Sequence, residues 1–592
     1  MSRWFPLFLG VLLAGSASGA NPPSGGHRLD FERPFLSWRL YGSGRDSATL
    51  SETKVSGQPF RHALQVEIGE RTLREHELML GGETTGRIRK GDVLLLSVYV
   101  RCLESADESA LGRFHLSGQI KQPRRPVPLF DKTISAGKKW KRILIPFEAL
   151  ADSEGNCSIT FRLGGTKPQM LQFAKFEIVN YRNRQKLEKL PSTTASYAGM
   201  EPDAPWRKAA AARIEKYRKA DLKIEVTDES GRPLPDAQVH VKLKRHAFGF
   251  GAAISLNAMF GDRSPEDAAK YRAAVEDLFN KVVFENRMKW KFFKDNDPQV
   301  EEALAWCAER NMPVRGHCMV WPDWKRLPRG MEQEYAGRPE EFRKAIGEHV
   351  HKMATAYPDG FAEWDIVNEL FSQHTFVDMF GKPVVADWFR IAKQSNPNFT
   401  CYINDYAILA GYDQAHQDNY HEWIEYLLGQ GAPVEGIGLQ GHFRAPVPPE
   451  EILRRLDRFA RFGLEMQVTE YDFDEADEML QARFTRDFMT VVFSHPQVVG
   501  IMTWCLWEKA SWKADPAFFS RDWKKKRIAQ AWEYMVEKEW HTEKTLATAE
   551  DGTARLRGFL GDYAIEVLYA GRKKTVSFSL GKGDGVCRVL FD

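Results

Sequence analysis

Two glutamates, each closing a short apolar run, are the residues of this chain best placed to do chemistry: Glu369 in Ala-Glu-Trp-Asp-Ile-Val-Asn-Glu (362 to 369) and Glu470 in Glu-Met-Gln-Val-Thr-Glu-Tyr-Asp (465 to 472). One carboxylic acid that protonates a leaving oxygen, paired with a carboxylate that attacks an anomeric carbon, is what cleavage of a glycosidic bond with retention requires. Both runs are β-rich and bounded by polar residues, so they read as buried parallel strands delivering a Glu at their C-terminal ends. In a (β/α)₈ barrel that end carries the catalytic groups.

Positioning such a pair takes a closed scaffold. Between about 245 and 540 the pattern alternates strand-like and helical stretches, as in parallel βα units. Eight strands are expected: Phe248 to Ala253, Lys281 to Glu285, Pro313 to Val320, Glu363 to Asn368, Thr400 to Asp405, Gly436 to Gln440, Glu465 to Glu470 and Gly500 to Trp507. The fold class is therefore α/β, a TIM barrel, and the strand ends collect polar groups: Glu285 with Asn286 and Lys289, His317, Asn368, Asn404 and Asp405, Gln440 with His442, Asp472, Trp504 and Trp512. His317 and Asn404 could equally be structural hydrogen bonders and Asp405 a helix cap. Trp290 and Trp306 are expected in the core.

Trp364-Asp-Ile-Val-Asn-Glu369, Gly436-Ile-Gly-Leu-Gln-Gly-His442, Thr469-Glu-Tyr-Asp472 and the Trp504 to Trp512 block resemble the family 10 glycoside hydrolases, retaining endo-β-1,4-xylanases. Glu285-Asn-Arg-Met-Lys-Trp290 and Arg315-Gly-His317 resemble two further motifs of that family. The resemblance implies that Glu369 is the general acid/base and Glu470 the nucleophile, with His442 and Asp472 keeping Glu470 ionised and oriented. It implies substrate contacts from Glu285, Asn286, Lys289, His317, Trp321, Asn368, Tyr406, Gln440, Trp504 and Trp512. It also implies carboxyl groups roughly 5 to 5.5 Å apart. The chain departs from the family where Trp-His is common: Val320-Trp-Pro-Asp-Trp324 puts proline there, which leaves Asp323 to replace the contact or the sugar to be held differently.

At 592 residues the chain exceeds one core. Residues 28 to 185 show short alternating runs between Gly, Asp and Ser clusters, the pattern of an all-β sandwich, read here as a carbohydrate-binding-like module. Residues 186 to 220 are expected as a linker and short helix, 221 to 540 as the catalytic barrel with a leading hairpin, and 541 to 592 as a small β appendage. A net charge of +3 over this length disfavours nucleic acid as partner, and 17 Trp suit a neutral polysaccharide whose rings stack on indole. Arg3, the apolar run Trp4 to Ala14 and Ser18-Gly-Ala20 form a cleavable signal pattern, hence a secreted or periplasmic protein without a membrane span. Seven Cys show no CxxC or metal spacing, and neither metal nor cofactor is expected. A monomer is expected. Two rivals remain: the same machinery acting on another β-glycan, and a catalytically silent polysaccharide-binding protein.

Overall fold

The computed structural model describes residues 23 to 591, apart from 30 to 37, 71, 73, 108 to 110, 123 to 124, 156, 194 to 195, 262 to 263 and 412. The signal pattern at 1 to 20 lies outside the described residues. The chain divides into two compact units, Met1–Met200 and Glu201–Asp592.

The first unit is a two-sheet antiparallel sandwich. One sheet runs Lys141–Glu148, Val93–Ser105, Gln169–Arg182, His62–Ile68, Ala48–Lys54, and the other runs Arg39–Tyr41, Met79–Thr84, Cys157–Arg162, Gly112–Ile120, Val127–Ala136. Alternate residues point inward, as a period of two demands. Gly112–Ile120 is buried at every second position. Its apolar core gathers Phe114, Phe161 and Phe173, with ring centroids 4.6 to 5.6 Å apart.

In the second unit eight parallel strands close into a barrel: β1 Gly249–Ile254, β2 Lys281–Phe284, β3 Val314–Gly316, β4 Glu363–Asn368, β5 Thr400–Asp405, β6 Gly436–Phe443, β7 Glu465–Phe473 and β8 Val498–Thr503. β1 pairs with β2 on one side and β8 on the other, which completes the ring. All six residues of β4 are buried, as expected for a strand covered on both faces. The helices between start where the sequence caps them: Asp297, Asp413 and Asp477 each accept a backbone N–H from the first turn that follows. β3 is shorter than the run from 313 to 320, because the chain leaves the ladder at His317 and rejoins it only through a Val320–Val367 bridge.

One expectation is corrected. Lys219–Asp228 and Gln238–His246 do not form a hairpin with each other. The first lies between Thr553–Phe559 and Gly585–Phe591, and the second between Glu543–Ala547 and Gly561–Tyr569. Pro233 has no N–H to give a ladder, and the pairing between the two strands stops at a Thr227–Pro233 bridge. The residues expected as an appendage are thus strand partners of residues more than 300 positions earlier. The short helix expected within 186 to 220 is present as Pro205–Tyr217. Leu190 packs with Val93, Leu95, Leu144 and Tyr181 in the first unit. In the second unit, helix Pro205–Tyr217 is tied down by Arg207, which forks onto Asp487 at 2.6 and 2.7 Å.

All seven cysteines are free and buried. Among the described residues no helix is long and apolar enough to cross a membrane.

Candidate active site

The floor of the barrel is ionic. Lys281 on β2 donates to Glu363 (2.6 Å) and Gln467 (2.7 Å), and Arg315 on β3 donates to Glu363 (2.7 Å) and to Asp365. All five side chains are buried. Burial pushes the Glu363 carboxyl up, but Lys281 and Arg315 outweigh it and hold the group at about 2. Asp365 passes the lattice upward by accepting from His317 Nδ1 (2.8 Å), and that imidazole lies 4.0 Å from Glu470.

Above this floor the two glutamates are joined by amides. Asn404 Nδ2, at the end of β5, donates to Glu470 Oε1 and to Asn368 Oδ1, each at 3.0 Å. Gln440 Nε2, on β6, donates to Asn368 Oδ1 and to Glu369 Oε1, each at 3.3 Å. Asn368 and Glu369 sit where β4 ends, and Glu369 takes a left-handed φ of +59°, held by its N–H donating to the Asn404 carbonyl (2.9 Å). Such a backbone conformation costs a non-glycine residue about 1–3 kcal/mol and persists where surrounding bonds fix it. Asn368 Nδ2 is buried and meets no hydrogen-bond partner among the described residues. A buried donor of this kind is satisfied by something that enters the site.

The two carboxyls are shifted in opposite directions. Burial raises Glu369, and the neighbouring carboxyls of Glu470 and Asp405 push it the same way. Burial also raises Glu470, but His317, His442 and Lys289 reverse this and hold it at about 2. His442 Nε2 lies 3.1 Å from Glu470 and Nδ1 2.6 Å from Asp472; burial opposes its protonation, yet Asp472 and Glu470 lift it to about 10. One acid can therefore hold a proton beside one that is ionised, which is the division of labour that acid-assisted nucleophilic displacement needs.

The remaining expected residues surround this pair. Trp321 donates to Glu369 Oε2 (3.2 Å), and Trp512, half exposed, donates to Asp472 (3.1 Å). Trp504 is buried, its ring 5.4 Å from that of His317. Lys289 donates to Asn286 (2.9 Å) and stands 5.5 Å from the Trp321 ring centre. Burial raises the Glu285 carboxyl, with Lys289 opposing. Tyr406 meets the ring of His416 edge-on at 4.5 Å, and His416 in turn bonds Asp405 (2.9 Å).

Asp323 has partners within the chain. It caps the short turn Trp324–Arg326 by accepting from Lys325 N–H (3.0 Å) and also accepts the Thr375 hydroxyl (3.0 Å). Trp290 and Trp306 are half-buried rather than core: Trp290 stacks on His349 at 3.8 Å, and Arg310 covers Trp306. Sequence reasoning gave no role to Asp365 or Arg326, and read Asn404 as a strand-end polar group or a structural hydrogen bonder. Asp365 and Asn404 lie in the strand runs beside recognised residues, where a polar side chain at a buried position is the available signal. Arg326 depends on a local turn and left none.

The barrel with its carboxyl pair is that of a known class. A family model, glycosyl hydrolase family 10, matches residues 240–535, and the chain belongs to that family. It is 28% identical over 402 residues to the anti-sigma-I factor RsgI6 of Acetivibrio thermocellus, covering 65% of this chain and 50% of that one. It is also 28% identical over 379 residues to endo-1,4-beta-xylanase 1 of Arabidopsis thaliana, covering 63% and 39%. The chain thus spans half or less of these curated relatives. The crystal structure of native xylanase 10B from Thermotoga maritima aligns at 26% identity and a TM-score of 0.45, over 50% of this chain and 96% of that one.

Proposed function

We propose that the chain is a retaining endo-β-1,4-xylanase that cleaves internal bonds of xylan through a covalent glycosyl-enzyme. The observation that carries this reading is a pair of carboxyls joined through Asn368, Asn404 and Gln440, with Glu369 shifted up by burial and Glu470 held down by its cationic neighbours. Glu369 gives its proton to the leaving oxygen while the Glu470 carboxylate bonds to the anomeric carbon. Once Glu470 is an ester its negative charge is gone, Glu369 becomes more acidic, and it can then take a proton from the water that releases the sugar. Asn368 Nδ2, the buried free donor, suits the sugar hydroxyl next to the broken bond, a contact that strengthens as charge develops. Glu285, Asn286 and Lys289 grip further hydroxyls, and Trp321, Tyr406, Trp504 and Trp512 frame the sugar.

Linear xylan followed by proton NMR tests the reading: new reducing ends should appear first as the β-anomer. First appearance of the α-anomer would refute the double displacement, and release from a β-glucan but not from xylan would move the substrate to another β-glycan.

The same proposal includes export by the N-terminal signal, monomeric action, and a first unit that holds polysaccharide. A second reading has one specific support, a relative named as an anti-sigma-I factor rather than a hydrolase. It is a groove that binds glycan without turnover. Wild-type protein that binds xylan but releases no sugar would establish it.

A further inference from the structure

We infer that Arg326 is a specificity-determining residue that pairs with a carboxylate carried by the substrate, so that the preferred glycan bears a hexuronic acid substituent near the cleaved bond; this rests on the xylanase reading and narrows its substrate.

The turn Trp324–Arg326 begins three residues after Trp321 and is held at its start. Asp323 caps it, and Trp324 stacks on Phe342 at 4.3 Å and meets Phe376 edge-on at 5.1 Å. This anchoring puts the Arg326 guanidinium carbon 3.6 Å from the centre of the Trp321 ring, and the Trp321 indole N–H donates to Glu369. Its charge reaches the same carboxyl, where it opposes the rise caused by burial. Arg326 is therefore a positive group one aromatic ring away from the reacting acid.

It is also unpaired. Arg326 Nε is buried without a hydrogen-bond partner, and no carboxylate among the described residues forms an ion pair with the guanidinium. Arg142 and Arg162 each also have one buried nitrogen without a partner, but each spends its other nitrogens on a carboxylate, Glu177 and Asp131. Arg326 stands apart from them. A cation taken partly out of water without a counter-charge is costly. A guanidinium matches a carboxylate with two parallel charge-assisted hydrogen bonds, a geometry a neutral sugar hydroxyl does not offer. Because Arg326 occupies a face of Trp321, that face is closed to sugar stacking and open to an acidic side group lying over the guanidinium. Pro322 brings no donor from side chain or backbone nitrogen to compete for it.

The test compares one xylo-oligosaccharide bearing a single hexuronic acid with the same compound after its carboxyl is reduced to the alcohol, which keeps the shape and removes the charge. Wild type should show the higher kcat/KM on the acid, and Arg326→Gln should lower the acid-to-alcohol ratio by roughly tenfold, with Arg326→Lys retaining part of it. A wild type that does not distinguish the two, or an Arg326→Gln that slows both equally, would overturn the assignment and leave Arg326 as a support for Trp321. If neither compound is cleaved, the xylanase reading fails instead. Titration calorimetry in the Glu470→Gln background then decides Arg326 alone, from whether the acid binds more tightly than the alcohol and whether Arg326→Gln removes the difference.

Discussion

The two units solve the same problem of filling an interior in opposite ways. The sandwich of the first unit packs aromatic and aliphatic side chains and buries no Asp, Glu, His, Lys or Arg among the described residues. The barrel buries Lys281, Arg315, Glu363, Asp365 and Gln467 at its centre. Apolar burial contributes about 25 cal/mol per Å², whereas charges withdrawn from water roughly break even at best. The barrel therefore gains little net stability from its floor. What it gains is direction, since each donor and acceptor there has fixed partners and the last link, Asp365 to His317, ends beside Glu470. An interior built for cohesion tolerates reshuffling; one built to aim a carboxylate does not.

The contrast can be broken at several points. The largest effect belongs to Glu470→Ala, which removes the attacking group and should lower turnover of xylan at least about 10⁴-fold while leaving glycan binding measurable by calorimetry. Next is Arg315→Met. Leaving Glu363 and Asp365 buried without their partner should cost about 3–5 kcal/mol in denaturant unfolding of the barrel and lower kcat as well. Were kcat untouched in the folded fraction, the claim that the floor aims the site would fall. Phe161→Ala in the sandwich should cost a similar 3–5 kcal/mol, read from the melting of the first unit, because a ring in contact with Phe114 and Phe173 leaves a cavity.

The smallest effect is a matter of pH. His442 is lifted to about 10 in the folded chain, so its contribution to stability is complete below about pH 6.5 and is lost as pH rises through about 10. The melting temperature of His442→Gln should therefore lie further below wild type at pH 6 than at pH 10. Glu470, held at about 2, contributes in the opposite sense: its share is present above about pH 4.5 and is lost as pH falls through about 2. Activity should mirror this, persisting into acid until Glu470 protonates and failing in alkali as Glu369 loses its proton. Removing His442 should move the acid limb upward, and an unmoved limb would deny His442 its hold on Glu470.

The barrel was legible because eight buried parallel strands write continuous apolar runs, and because each catalytic side chain follows its run at a fixed place. The amide relay was half legible: Asn368 and Gln440 stand in recognised motifs, but that Asn404 touches Glu470 depends on β5 and β7 both flanking β6, which no local pattern states. The pairing of Lys219–Asp228 with strands beyond residue 550 was hidden for a stronger reason. A two-residue period tells a strand which face to bury and says nothing about its neighbour. Arg326 was invisible because a single 3₁₀ turn decides where it points.

Burial raises every one of the seven thiols above its ordinary pKa, and none is in a disulfide. Dithiothreitol should accordingly leave the melting curve of this protein unmoved. Alkylating reagents should label it only after denaturation, which makes the rate of labelling a direct clock for opening of either unit.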